Sequence, residues 1–198
     1  MNYTDFLGKL NTLKATRDIN LLDDVISHVK EEIARDEAKK GGKLSALSAA
    51  KRILKSSLSD NLKYAFYQND KQCICNSYEL VILNEQLPLE NRPESIEAPS
   101  FDVERLIKTA RDNQITVELP TVAELKTQQK IQKANKERIP YYDFGEGLPR
   151  VQIIYLLDIM ALLPNVKTVK ISNRYSLTSA IYCNDNNGEA VIMPLKKV

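Results

Sequence analysis

The segment that most constrains the fold is "YYDFGEGLPRVQIIYLLDIMALLPN", residues 141 to 165. It predicts a short strand, a turn and then a helix, with only Gln152 and Asp158 interrupting an apolar run from Val151 to Leu163. A surface helix carries one apolar stripe, so a helix that is apolar nearly all round must be covered on more than one side. We therefore expect this helix to lie inside a domain, between other elements.

Two helices predicted within residues 1–40 are candidates for part of that cover. The second follows Asp18 as its N-cap and has an apolar stripe at helical spacing, formed by Ile19, Leu22, Ile26, Val29 and Ile33. The "KKGG" sequence at 39–42 predicts its end, because lysine suits the last turn and glycine the residue beyond it. We predict a helical subdomain at residues 1–40, with its stripes facing the outward side of helix 151–163.

A helix followed by three short strands is predicted twice. The first copy has a helix at about 44–56 and three strands within 62–83, where apolar residues recur with a period of two. The second has helix 151–163 and strands in "VKTVKIS", "LTSAIYCN" and "EAVIMPL", and Asn187-Gly188 predicts a hairpin between the last two. The predicted fold class is α+β: an antiparallel sheet of two helix-plus-three-strand units in a domain at 41–198.

An insertion at about 85–140 separates the two copies. Residues 84–104 contain prolines and six acidic residues against one basic residue, a net charge of −5, which predicts an exposed connector. "FDVERLIKTARDN" then predicts a short helix and "ITVEL" a strand. "PTVAELKTQQKIQKANKER" predicts a polar helix that begins at Pro120 or Thr121. Its apolar face is thin and comprises Val122, Leu125, Ile131 and Ala134.

The bulk properties fit a globular protein of the cytoplasm. Of the 198 residues, 43% are hydrophobic and 27% are charged, which is enough to bury a core. No apolar run approaches the roughly 18 residues that span a bilayer, so no membrane association is expected. The N-terminus lacks the pattern of a secretory signal. Three cysteines are too few for a disulfide framework and indicate a reducing compartment.

The residues that could carry catalysis argue against an enzyme. His28 is the single histidine and lies in a predicted helix, and Cys73 and Cys75 point to one face of a strand as small buried hydrophobic residues would. These residues do not supply a zinc site, and no cofactor is predicted. The "GEG" at 145–147 lacks the further residues of a phosphate-binding loop, so it is interpreted as a turn.

Two basic helices are the remaining functional signal. Residues 39–55 contain six basic residues and no acidic one, and the polar helix at 120–138 has five basic residues against two acidic ones. Solvated helices commonly carry such charges, but a face that follows a phosphate backbone is the alternative, and its binding would depend steeply on salt. The candidate DNA-binding residues are Lys43, Lys51, Arg52, Lys55, Lys126, Lys130, Lys133 and Lys136, the last four of which would share one helical face.

Three stretches resemble a domain of the DNA sliding clamps, the family of the DNA polymerase III beta subunit. "CICNSYELVILNEQLP" is similar to a clamp segment in which one strand ends and the next begins, and "LPRVQIIYLLDIMALLP" to the second helix of a clamp half. "GEAVIMPLKKV" is similar to the end of a bacterial clamp, where the last strand runs into Met-Pro. The helix and strand pattern also resembles that of small uncharacterised phage and prophage proteins. The resemblance covers about half of the chain.

The resemblance implies a helix-plus-three-strand unit repeated once, with helices that present lysine and arginine to a DNA backbone. We therefore expect a non-enzymatic, phage-type accessory of DNA metabolism that binds double-stranded DNA without reading its sequence. The alternative is a protein-binding module that inhibits or redirects a host nuclease or replication complex, through its acidic connector and its lysine-rich helix. A host or phage protein would then be the partner, and a homo-oligomer is compatible with either hypothesis. A hydrolase with an unrecognised site is a third alternative.

Overall fold

The structure is a computed structural model that describes residues 3–16, 18–90, 92–172 and 180–195. The chain divides into two compact units, Met1–Leu44 and Ser45–Val198. The predicted division falls after residue 40. Within the described ranges, no helix has both the length and the apolar character needed to cross a membrane.

The N-terminal unit contains two paired helices, α1 (Tyr3–Thr16) and α2 (Ile19–Lys40). As predicted, α2 begins directly after Asp18 and ends at the "KKGG" sequence. Gly42 has a φ of 67°, and the Lys43 N–H donates to the Ala38 carbonyl at 2.7 Å. This left-handed glycine turns the backbone so that carbonyls of the last helical turn are satisfied.

The predicted apolar stripe of α2 is largely exposed in the structure. Leu22 and Ile26 are each 41% exposed and Ile33 is 53% exposed. The docking of this stripe on helix 151–163 stays a prediction.

The second unit contains four helices and nine strands within its described residues. The helices are α3 (Leu44–Lys55), α4 (Val103–Arg111), α5 (Val122–Ala134) and α6 (Ile153–Leu162). The strands are β1 (Phe66–Gln68), β2 (Lys71–Cys75), β3 (Glu79–Leu83), β4 (Ile115–Glu118), β5 (Tyr141–Asp143), β6 (Arg150–Gln152), β7 (Thr168–Ile171), β8 (Ile181–Asp185) and β9 (Gly188–Ile192). A short 3₁₀ turn at Asp60–Leu62 links α3 to β1. The part of the predicted strand "LTSAIYCN" at 177–179 lies outside the described residues.

Seven of these strands form one open antiparallel sheet in the order β1-β2-β3-β9-β8-β7-β4. The strands predicted at 62–83 and those predicted after helix 151–163 therefore share a sheet, and they join where β3 pairs with β9. Each triplet of strands follows a helix, α3 or α6, and runs outward from this central pair. The predicted α+β class and antiparallel sheet are confirmed.

The two faces of the sheet are covered by different helices. On one face α3, α5 and α6 pack with Ile74, Val81 and Ile192 in the larger core cluster. On the other face α4 packs through its buried residues against the cluster that contains Cys73 and Cys75. Strands buried on both faces read as continuous apolar runs, as "ELVIL" and "EAVI" do.

Within this unit, the sheet and α5 cover part of the surface of the apolar helix α6. Ile153, Leu156 and Ile159 of α6 are each 1% exposed or less and belong to the larger cluster, and α5 packs beside α6. Tyr155 and Leu157 of α6 remain partly exposed. The predicted start of the helix at Val151 is wrong, because Val151 pairs with Tyr142 in the two-stranded β5–β6 ribbon.

Two hairpin turns of the sheet differ in their chemistry. Asn69 and Asp70 have φ values of 51° and 60°, as a two-residue hairpin between β1 and β2 requires. In the hairpin between β8 and β9, Asp185 pairs with Gly188, so the turn residues are Asn186 and Asn187 rather than Asn187-Gly188. Gly188 has a different role, because a Cβ atom there would overlap the backbone carbonyl of Ile82 in β3.

The acidic connector is exposed over most of its length, as predicted, but not throughout. Leu87 is 5% exposed and belongs to the larger core cluster. The Gln72 side chain fixes it, because its amide nitrogen donates to the Leu87 carbonyl at 3.0 Å and its oxygen accepts from the Leu87 N–H at 2.8 Å. A buried amide that pairs both of its ends in this way replaces the strand partner that the connector lacks.

The close approach of β9 to β3 predicts that Gly188→Ala destabilises the domain. The added methyl group would meet backbone, which cannot rotate away, so the central strand pair would have to separate. We expect a loss of about 1–3 kcal/mol in the free energy of unfolding, measured by urea titration followed by circular dichroism. Gly8→Ala is the matched control: it lies in α1 with nothing near its Cβ position and should stabilise α1 by about 0.5–1 kcal/mol. Equal stability of Gly188→Ala and the unchanged protein would contradict the proposed constraint.

Candidate functional site

The lysines of α5 form an exposed row on a helix whose other side is held by polar contacts. Lys126, Lys130 and Lys133 are exposed and recur at intervals of four and three residues, so they share one face. Among the described residues none of the three has an ion-pair partner. We call these three residues the lysine face.

The opposite side of α5 is anchored by one apolar residue and two glutamines. Leu125 is fully buried in the larger core cluster. The amide nitrogens of Gln128 and Gln132 both donate to the Tyr141 carbonyl, at 3.1 and 2.8 Å, and the Gln132 oxygen accepts from the Tyr141 N–H. The predicted apolar face is wrong in part, because Val122 is 39% and Ile131 56% exposed and Ala134 is exposed as well. Gln128 and Gln132, which pair with Tyr141 at the start of β5, anchor the helix instead.

Both ends of α5 are capped. The C-terminal cap leaves Lys136 outside the helix, although the sequence predicts it on the same face as Lys126, Lys130 and Lys133. At the start, the Thr121 side chain and Glu124 form a reciprocal capping box. At the end, the helix stops at Ala134, and Lys136 adopts a left-handed backbone with a φ of 63°. Its N–H donates to the Lys133 carbonyl, and the next N–H donates to that of Gln132. The prediction that Lys136 shares the helical face is therefore wrong, although its side chain is exposed nearby in sequence.

The basic residues predicted on α3 are brought together, and Arg52 among them is paired with a buried acid. Lys51, Arg52 and Lys55 lie on the side of α3 that is turned away from its buried residues. The Arg52 guanidinium donates to the Asp158 carboxylate of α6 through Nε at 2.7 Å and also through Nη2. Its side chain stays 48% exposed, so a further contact is geometrically open to it. Lys43 belongs to the N-terminal unit, where its N–H closes the cap of α2.

The partner of Arg52 is part of a buried acidic pair that sequence reasoning missed. Asp158 is 2% exposed and Glu79, at the start of β3, is 3% exposed. Burial, followed by the negative charge of Asp158, raises the pKa of Glu79 to about 8. Burial also raises the pKa of Asp158, although the hydrogen bond from Arg52 opposes this shift. Glu79 is therefore largely protonated at neutral pH, while Arg52 provides the charge partner of Asp158.

Neighbouring polar groups hold Glu79 in place. The Asn76 side chain donates to Glu79 Oε1 at 3.1 Å and to Ser56 Oγ at 2.8 Å, and its oxygen accepts from the backbone N–H of Tyr78 and of Glu79. Glu79 Oε2 is buried without a hydrogen-bond partner in the described structure. The Asn76 contacts fix the turn between β2 and β3 to the end of α3.

The chemistry of this cluster is that of a structural network. A carboxyl group with a pKa near 8 could act as a general acid or base, but it would need to reach a substrate. Both carboxyl groups are almost fully covered, so a substrate could not contact them unless α3 or α6 moved. The arrangement instead ties α3, α6 and β3 together on one face of the sheet.

The remaining candidate residues occupy ordinary packing positions. Cys73 and Cys75 are free and buried on the α4 side of the sheet, as their spacing predicted, and Cys183 is free and buried on the opposite side. Burial raises the pKa of Cys73 to about 11 and that of Cys75 to about 12, which makes them poor nucleophiles. The His28 ring lies 6.0 Å from that of Phe6 within the N-terminal unit. No three potential ligand side chains cluster as a metal site in the described ranges.

No protein-family model, curated protein or solved structure matches this chain. The likeness to sliding clamps therefore stays a resemblance of sequence pattern, and the function must be argued from the residues themselves.

The raised pKa of Glu79 predicts an unusual dependence of stability on pH. The folded state binds one proton more than the unfolded state between the ordinary carboxyl pKa and about 8, so stability falls as pH rises through this range and levels off above it. Glu79→Gln keeps a neutral side chain at every pH, so we expect it to flatten the curve. At pH 8.5 the variant should be more stable by about 2–4 kcal/mol.

Chemical denaturation at a series of pH values measures this effect. Glu90→Gln, in the exposed connector, is the control and should leave the curve unchanged. Parallel curves for Glu79→Gln and the unchanged protein would show that Glu79 is ionised in the folded state.

The Arg52–Asp158 pair predicts a specific non-additivity. Arg52→Met leaves a buried carboxylate without its charge partner and should cost about 2–4 kcal/mol, because removing one member of a buried pair costs more than removing both. The double variant Arg52→Met, Asp158→Leu should recover at least half of that loss. Denaturation of the two single variants and the double variant completes the cycle. If the double variant loses the sum of the single losses, the two residues do not interact.

Proposed function

We propose that this protein is a non-enzymatic accessory of DNA metabolism, of phage type and clamp-like, that binds the backbone of double-stranded DNA without reading its sequence. The observation that carries the proposal is the lysine face, three exposed ammonium groups that have no ion-pair partner in the part of the chain that the structure describes, on a helix anchored from its opposite side. Along the helix axis, Lys130 lies about 6 Å from Lys126 and Lys133 lies about 4.5 Å from Lys130, distances on the scale of neighbouring phosphates.

The position of α3 supports the proposal. It belongs to the same helical layer as α5, because residues of both helices pack in the larger cluster on one face of the sheet. Lys55 is exposed and the Arg52 side chain is half-exposed, so cationic groups of two helices in one layer are open to a polyanion. Contacts from flexible lysines to phosphate oxygens position a duplex but do not distinguish its bases. The binding is therefore expected to be independent of sequence.

The topology is compatible with the clamp resemblance. Two helix-plus-three-strand units meet at one central strand pair, and the two helices that begin the units, α3 and α6, lie on the same face of the sheet. In this chain only the first of the two carries basic residues, since α6 has none. The lysine face of the inserted α5 would supply the charge that α6 lacks.

A second candidate function is a protein-binding module that acts on a host nuclease or replication complex. The observation that favours it is the connector at 84–104, most of which is exposed without regular structure and which carries the net charge of −5. Pull-down from a host lysate with and without nuclease treatment separates the two functions. A partner that stays bound after nuclease digestion supports the module, and one that is lost supports binding through DNA.

Fluorescence anisotropy with a random-sequence duplex tests the proposed function. We expect the logarithm of the association constant to fall linearly with the logarithm of salt concentration, with a slope of about −3 to −4 if three or four phosphates are neutralised. Replacing Lys126, Lys130 and Lys133 by glutamine should make the slope shallower by about 2.7, at about 0.9 per phosphate. Absence of binding at low salt would remove the proposal.

A matched control has the same change of formal charge on other elements. Lys71→Gln, Arg105→Gln and Lys108→Gln change three exposed bases, two of them on α4, which covers the opposite face of the sheet. This variant should retain nearly the full slope. An equal loss in both triple variants would show that net charge alone, and not the lysine face, determines binding.

A further inference from the structure

A cavity of about 360 Å³ opens beside the edge strand β1. Four of its lining residues, Ala65 to Gln68, come from β1 and the residue before it, and the others are Arg92, Ala98, Pro99 and Phe101 of the connector. Its volume falls within the range of sites for small organic molecules. The cavity is distinct from both the lysine face and the buried acidic pair, because none of their residues lines it.

Two aromatic rings form part of the cavity wall, beside polar side chains. The rings of Phe66 and Phe101 meet edge to face, with centroids 5.8 Å apart and an interplanar angle of 80°. Phe66 is 7% exposed and belongs to the core cluster on the α4 face, so this wall is fixed by the packing of the domain. Aromatic walls of this kind favour a flat, apolar ligand body.

One cationic side chain, that of Arg92, lies in this wall. Its Nη1 atom is covered by protein and has no acceptor among the described residues, while the side chain as a whole is partly exposed. A carboxylate is an anion that matches the donor geometry of a guanidinium. Arg92 is also the one basic residue among the six acidic residues of the connector, which were predicted as an exposed charged stretch.

A second donor adjoins this position. The oxygen of the Gln68 side chain accepts from the N–H of Val103 at 3.2 Å, at the start of α4. This bond fixes the orientation of the Gln68 amide and leaves its nitrogen to donate to a ligand. Gln68 and Arg92 thus combine a neutral donor and a charged donor in the lining of one cavity.

We propose that this cavity binds a small carboxylic acid with a flat apolar body, whose carboxylate accepts from Arg92 and Gln68 while the body packs on Phe66 and Phe101. A monocarboxylate fits better than a phosphate monoester, because one guanidinium lies among the lining residues and the surrounding connector is acidic. The short β1 strand provides few backbone partners, so a free acid is favoured over the C-terminus of a peptide.

Ligand-observed NMR and calorimetry on the full chain test this site with phenylacetate as the probe. Phenylacetamide has the same shape without the charge and should bind at least tenfold more weakly, as should phenyl phosphate. A peptide that ends in phenylalanine is compared with its amidated form. Stronger binding of that peptide than of phenylacetate would overturn the assignment to a free acid.

Three variants locate the site. Arg92→Met keeps an unbranched side chain without charge and should weaken phenylacetate binding at least tenfold, while the weak binding of phenylacetamide stays unchanged. Ala98→Phe fills the cavity without changing charge and should weaken both probes. Arg138→Met, outside the cavity, removes the same charge and should change neither. Equal affinity of phenylacetate for Arg92→Met and the unchanged protein, or no binding of phenylacetate to the unchanged protein, would refute the proposal.

Discussion

The pairing of β3 with β9 is the interaction on which the second unit depends. In the described chain, the two triplets of strands meet only there, across five pairs of residues from Glu79 and Ile192 to Leu83 and Gly188. The pair is buried on both faces, by α3 and α6 on one side and by α4 on the other. The two strands lie so close together that position 188 must be a residue without a side chain, which is glycine. A domain built from two helix-plus-three-strand units thus has a position that admits only glycine where the units meet.

The same seam explains why a buried acid is tolerated in the core. Glu79 begins β3 on the face that α3 and α6 cover, and Asp158 comes from the middle of α6. Two carboxylates in such a place would repel each other, and the structure avoids this by raising the pKa of Glu79 while Arg52 neutralises Asp158. Replacing such a network by apolar residues is often neutral or stabilising, so we infer that it is retained for the specificity of packing. It therefore acts to select one arrangement of α3 and α6.

Much of the fold could be predicted because its determinants are local. The period of two in 62–83, the Gly-Gly after α2 and the hairpin near Asn187 all act within a few residues, and the structure has strands, a cap and a hairpin there. The Arg52–Asp158 pair could not be assigned, since 106 positions separate its members. A signal was present nonetheless: a lone acid in an apolar helix indicates a buried cationic partner, although it does not say which one.

The candidate sites show the same limit. The spacing of Lys126, Lys130 and Lys133 predicted their common face, because a helix converts spacing into position. Lys136 fits the same spacing, but the helix ends at Ala134, and sequence periodicity does not reveal a left-handed cap at a non-glycine residue. In the sequence Arg92 is a single base in an acidic connector, whereas in the structure its side chain lines a cavity beside two aromatic rings. The environment of Arg92 is set by tertiary contacts, which the sequence does not show.

The two proposed sites lie on different layers of the domain, and this makes them separable. The lysine face belongs to α5, in the layer of the larger core cluster, whereas Phe66 and Phe101 of the cavity belong to the cluster on the α4 face. The connector joins the two layers, because its Leu87 packs in the larger cluster with Leu125 of α5 while its Phe101 packs against the other cluster. β1 is the edge strand and is joined to the β3–β9 pair only through β2, so the cavity lies at the edge of the sheet and away from that pair. The sheet thus lies between the helix layer that carries the proposed polyanion-binding surface and the layer beside the proposed small-acid cavity.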